Sequence, residues 1–218
     1  MPNNKVWEKT GEAFKKDSEG RAYANEYLAA VRGNWQATES GVTRGSALIV
    51  GIAFIFELVI SSKSTPITFL GFGFSTTGIV KAALPIVIAY LYYQVTYSIV
   101  ESIIYRSAHD RVLTEIYPPI YNNSERPLHP ANALMVSPDR IYYTLGTDSR
   151  VMKLAYISSA IRPLTIMAAA PFYIIYTYVQ LFQKLGVASV ESWISVSISG
   201  VLLVSGCINA LVAAAIDL

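Results

Sequence analysis

The chain has 218 residues, of which 53% are apolar and only 15% charged, and its mean hydropathy is +0.39. A soluble domain typically carries about 25% charged residues, so this composition excludes an ordinary soluble protein and points to an integral membrane one. A net charge of +2 with no run of five basic residues is too weak for nucleic acid or a polybasic lipid-binding patch, and the single cysteine, Cys207, excludes an intrachain disulfide.

Residues 1–44 are polar, with seven Lys/Arg and six Asp/Glu, and hold no apolar h-region, so no cleavable signal peptide is expected. Trp7 and Phe14 suggest a short first helix. From Glu19 to Gln36 the residues Tyr23, Tyr27, Val31 and Trp35 recur at spacings of four, which predicts a helix capped by Asp17 or Ser18. It either lies at the membrane interface with Tyr27 and Trp35 at headgroup level, or packs as a cytosolic helix on the protein or a neighbouring subunit. The narrow face and balanced charges favour packing.

Residues 45–62 form the first predicted span. The connector that follows, through Thr77, interleaves Phe69, Phe72 and Phe74 with Gly71 and Gly73 and reads as a short strand or turn in an interfacial loop. The second span, 79–101, carries Pro85 in its first half and continues without a breaker to Tyr117, where Pro118-Pro119 ends it. As one helix it would measure about 58 Å at 1.5 Å per residue. A bilayer core needs about 20 residues, so roughly half of it stands in water. Pro127, Pro130 and Pro138 then prevent a long helix. Ser137-Pro138-Asp139 and Gly146 predict a short helix over 138–145, with a β-hairpin over 133–145 as the rival. Asp148 or Ser149 caps a further helix starting near Arg150, which leads through Arg162-Pro163 into the third span, 164–183, with Pro171 at its centre. After a turn around Lys184, Gly186 and Glu191, Trp193 anchors the fourth span, 193–216.

The expected fold is therefore an all-α integral membrane protein with four transmembrane helices, the second extended into the cytoplasm. Its parts are an N-terminal helical arm (1–43), a first transmembrane hairpin (44–104), a cytoplasmic segment (105–162) and a second hairpin (163–218). Seven Lys/Arg lie in 1–44 and seven in 105–162, against Lys63, Lys81 and Lys184 in the other connectors. By the positive-inside rule both termini are cytoplasmic.

Polar residues inside the spans are the candidates for function. Tyr90, Gln94 and Tyr97, followed by Glu101 and Tyr105, form a stripe on the second span, and Tyr173, Thr177 and Gln180, followed by Lys184, form one on the third. The stripes either hydrogen-bond to each other or line an aqueous path. Glu57, five residues from the outer end of the first span, needs a partner or water, because an unpaired carboxylate there costs on the order of 2–3 kcal/mol. Lys81 is its expected partner, and Glu101 with Arg162 forms an analogous pair near the cytoplasmic face. These are ion pairs that fix helix register or, alternatively, parts of an ion path. Ser195, Ser199, Gly206, Ala210 and Ala214 give the fourth span a small-residue face for helix packing, inside the bundle or against another protomer.

No hydrolase, zincin or phosphate-loop motif is present, no Cys/His cluster suggests a metal, and no cofactor is expected. His109-Asp110 reads as a solvated surface pair. Besides the bilayer, the expected partner is another copy or a cytoplasmic protein, with no nucleic acid contact. The leading expectation is a non-enzymatic subunit that assembles at the membrane. An oligomeric channel lined by the second and third spans is the alternative, and a membrane enzyme with an unrecognised site comes after it.

Overall fold

The computed structural model describes residues 18–61, 67–69, 72–74, 78–116 and 149–217. The helix around Trp7 and Phe14, the Asp17 cap and the helix or hairpin at 133–145 lie outside the described residues. Among the described residues there are four helices, α1 (Ser18–Ser61), α2 (Gly78–Ile116), α3 (Ser149–Leu185) and α4 (Val190–Asp217). Strands β1 (Ile67–Phe69) and β2 (Phe72–Phe74) pair antiparallel, Ile67 with Phe74 and Phe69 with Phe72, so the aromatic connector is a two-stranded hairpin. Three of the helices, α1, α2 and α4, are long and apolar enough to cross a membrane.

The helix limits follow the breakers. No proline occurs from Ser18 to Ser61, and the arm helix and first span predicted as separate elements are one 44-residue helix. α2 runs 39 residues and stops just before Pro118, consistent with the bias that proline places on the residues preceding it. α3 begins at Ser149, where a cap was expected, and continues through Pro163 and Pro171. It ends in a left-handed cap: Gly186 has φ 88° and donates its N–H to the Phe182 carbonyl at 3.0 Å. Ser189 then caps α4, accepting from the Ser192 N–H at 3.3 Å, while the Trp193 indole donates to the Val187 carbonyl at 2.8 Å and its ring meets Phe182 at 5.2 Å.

The chain divides into two compact units, one of residues 1–40 and 101–162, the other of residues 41–100 and 163–218. In the first, α1 buries Ala24, Leu28, Val31 and Trp35, and α2 buries Ala108, His109 and Val112. The Trp35 and His109 rings lie 5.9 Å apart. This corrects two expectations. Tyr23 is 61% exposed, because a repeat of four drifts about 40° per step around a helix of 3.6 residues per turn, whereas the 4-3-4 spacing of the buried set keeps to one face. Trp35 is buried against protein, in line with the favoured packing reading of this helix, while Tyr23 falls off that face. His109 is buried, not solvated, because the last part of α2 has a packing face of its own.

In the second unit the core is built from Val42, Ile49, Phe56 and Ile60 of α1, Ile88, Ala89, Tyr92 and Val95 of α2, and Ala170 and Ile174 of α3, with Leu202, Leu203 and Cys207 of α4 packed against it. Lipid tails are as apolar as these side chains, so association between spans depends on close packing and hydrogen bonds. The close approaches are specific. A Cβ added to Gly45 would meet Val95 at 2.5 Å, and one added to Gly206 would meet the Tyr92 ring at 2.6 Å. The opposite faces carry Leu48 and Phe54 on α1, Phe172 and Val179 on α3, and Val201, Val204, Ile208 and Leu211 on α4, all exposed. So large an apolar surface is a liability in water and is covered by lipid in a membrane.

Candidate functional site

Several hydroxyls in the second unit are satisfied within their own helix. Ser46 donates to the Val42 carbonyl, Thr96 to those of Tyr92 and Tyr93, Thr177 to Ile174 and Ser199 to Ser195. Each is an i−3 or i−4 back-bond, the usual way a Ser or Thr settles in an apolar helix. Three side chains instead reach across helices and define the polar interior.

The first is Tyr173 of α3. Its hydroxyl lies 2.9 Å from the Ala53 carbonyl and 3.0 Å from Glu57 Oε1, both on α1. Phe56 packs edge-on to the Tyr173 ring at 6.4 Å, and Tyr176 lies 5.8 Å away. One O–H hydrogen thus serves two acceptors one helical turn apart, and Glu57 is held from α3. Lys81, half-buried at the start of α2, is not its partner. Among the described residues no ion pair joins the two, although the sequence places both near the same end of the bundle. Depth alone does not bring charges together; they must also share a direction. The beginning of α2 is directed to α4, where Ser195 donates to the Ala82 carbonyl at 2.6 Å.

That Ser195 bond is the second crossing. Pro85 cannot donate a backbone N–H, which leaves the Lys81 carbonyl without its usual helical partner, and Ser195 supplies a hydroxyl one residue further on. The third crossing is Tyr92 of α2, 1% exposed. Its hydroxyl donates to the Met167 carbonyl of α3 at 3.3 Å and lies 3.9 Å from Cys207 Sγ of α4, with Gly206 flat against its ring. Tyr92 therefore touches three helices.

The predicted sites separate accordingly. Tyr173 and Thr177 face inward, and Gln180 is half-buried. Tyr90 and Tyr97 are 49% and 45% exposed on the outer side of α2, where the Gln94 amide donates to the Tyr90 hydroxyl at 3.1 Å. The two stripes do not meet: no hydrogen bond joins them among the described residues. Glu101 is half-buried, and the side chain of Arg162 lies outside the described residues, as does any pair between them. Ser195, Ser199 and Gly206 are buried inside the bundle together with Ser192, while Ala210 is half-buried and Ala214 exposed. Among the described residues no group of three His, Cys, Asp or Glu side chains is placed to hold a metal.

Three features escaped the sequence reading. Tyr92 was hidden beside the more conspicuous Tyr90-Gln94-Tyr97 stripe. The Trp35–His109 contact needed the 4-3-4 buried face to be recognised. The Gly41/Gly45 pair, facing Ser98 and Val95, was visible as Gly-Val-Thr-Arg-Gly, a small-xxx-small spacing at the start of the first span. No family model, no curated protein and no solved structure matches the chain.

Proposed function

We propose that the chain is a non-enzymatic subunit with four spans that assembles with other protein at the membrane, with both termini and residues 105–162 on the cytoplasmic side. α3 is taken as the fourth span because Ala170 and Ile174 share the core of α1 and α2, and because its outer face carries exposed Phe172, Ile175 and Val179. The orientation rests on the fourteen Lys/Arg of 1–44 and 105–162 against three elsewhere.

The observation that carries the assembly reading is the outward polar stripe of α2. Tyr90, Gln94 and Tyr97 lie within a helix apolar enough to span, yet on its exposed side. Hydrocarbon offers no hydrogen-bond partner to the amide carbonyl of Gln94, so this side calls for protein. Inside the bundle, by contrast, Tyr92, Tyr173 and Ser195 are engaged in hydrogen bonds between helices. The test is the particle mass of the full chain in mild detergent or lipid nanodiscs, with identification of co-purifying proteins. A particle heavier than one chain plus its lipid is expected. A single chain with nothing bound would overturn the reading.

The same stripe supports a second reading, a pore at the centre of a ring of copies. That reading expects ionic currents in planar bilayers that change with Gln94→Leu, and silent bilayers with verified incorporation would remove it.

A further inference from the structure

Building on the assembly reading, we infer that the outer face of α2 is a two-fold contact with a second copy of this chain, centred on Gln94. Exposed positions on this side recur as Ala83, Val87, Tyr90, Gln94 and Tyr97, with Gln94 partly covered by Tyr90. The spacing is 4-3-4-3, an average of 3.5 residues. That spacing keeps these positions on one face, along which a second helix can pack at a shallow crossing angle. The inner face of α2 is already occupied by the core around Ile88, Ala89, Tyr92 and Val95, so this seam is additional to the one that folds the chain.

The chemistry of the seam selects its occupant. One Gln94 N–H donates to the Tyr90 hydroxyl. The amide carbonyl, the second amide N–H and the Tyr90 O–H hydrogen remain without a partner among the described residues. Gln94 lies seven residues before Glu101, about 10 Å inside the span at the helical rise. Any partner must therefore offer both a donor and an acceptor at that depth. Two copies inserted the same way round and related by an axis along the membrane normal place identical residues at identical depth. An amide carries both a donor and an acceptor, so Gln94 is complementary to itself. A polar side chain set in a seam that also carries apolar residues such as Ala83 and Val87 is also the device that fixes register in paired helices. The Tyr93 and Tyr97 rings, stacked at 6.3 Å with 26° between planes, form an aromatic plate beside it.

The experiment is disulfide trapping of the full chain in lipid vesicles in a Cys207→Ser background, combined with single-molecule photobleaching to count copies. Gln94→Cys should cross-link to itself. Phe54→Cys on α1 and Val204→Cys on α4, both exposed, should not. Gln94→Leu should weaken the dimer about 3- to 15-fold on dilution into excess lipid, and Gln94→Asn should recover most of the loss. Cross-linking at Val204→Cys or Phe54→Cys but not at Gln94→Cys overturns this contact while leaving assembly standing. A different protein trapped at Gln94→Cys does the same, and three or more bleaching steps overturn the two-fold arrangement. One bleaching step with no bound protein removes both this inference and the assembly reading.

Discussion

At the scale of single residues, glycines mark where helices touch. Tyr92 is buried on all sides, so its ring has no room to yield to a Cβ at Gly206. Gly206→Ala is expected to lower stability in detergent by about 1–3 kcal/mol, the usual range for overpacking, and Gly45→Ala to act the same way against Val95. Gly33 has nothing within 4 Å of an added Cβ. Gly33→Ala should therefore raise stability by about 0.4–1 kcal/mol through the unfolded chain. Thermal unfolding of the three variants separates close approach from helix propensity. The Tyr173–Glu57 bond is testable by a double-mutant cycle of Tyr173→Phe and Glu57→Leu, with an expected coupling of about 0.6 kcal/mol and a ceiling near 1.7 kcal/mol. A coupling of zero would mean that Glu57 takes its hydrogen bonds elsewhere.

At the scale of elements, α2 has two kinds of inner face. Its first part contributes Ile88, Tyr92 and Val95 to one core, and its last part contributes Ala108, His109 and Val112 to another. Val112→Pro removes a backbone donor and clashes with the preceding turn, at a cost of about 3 kcal/mol or more. In a Trp7→Phe, Trp193→Phe background, Trp35 is expected to become markedly more open to acrylamide quenching in Val112→Pro than in the parent. Unchanged quenching would show that Trp35 does not depend on this part of α2.

The limits of α2, the start of α3 and the extent of α4 were all readable from prolines, caps and apolar length, because these are local signals. Which side of a helix faces which neighbour was not. Glu57 and Lys81 were matched by depth and opposite charge, and the Tyr90 stripe by its polarity, but neither criterion contains the rotation of one helix about its axis. That rotation is set by packing, and its sequence traces are small: Gly41 and Gly45 on α1, Gly206 on α4. The continuity of α1 through residue 44 was missed because the change from polar to apolar composition resembles a boundary. Composition tracks the solvent, whereas the absence of proline tracks the backbone.

At the scale of the whole molecule, the exposed sides of α1, α3 and α4 are apolar along much of their length, and the turn from Gly186 to Ser189 is tied down by caps at both ends. The proposed orientation places this turn on the side away from the cytoplasm. In a Cys207→Ser background, Val187→Cys should react with a membrane-impermeant maleimide added to intact cells, and Ala22→Cys only after the membrane is opened. The reverse pattern would invert the topology, and labelling of both from one side would require an even number of spans between them.

The Tyr173–Glu57 bond also places a demand on biosynthesis. Its two residues are 116 positions apart, so α1 is made long before the hydroxyl that meets its carboxyl group. At a synthesis rate of about 5–20 residues per second, the wait is roughly 6–23 s. Throughout that interval Glu57 must be met by water or by the insertion machinery. α1 is thus at its most vulnerable as a nascent chain, and a ribosome that stalls before Tyr173 leaves the first span without the contact that completes it.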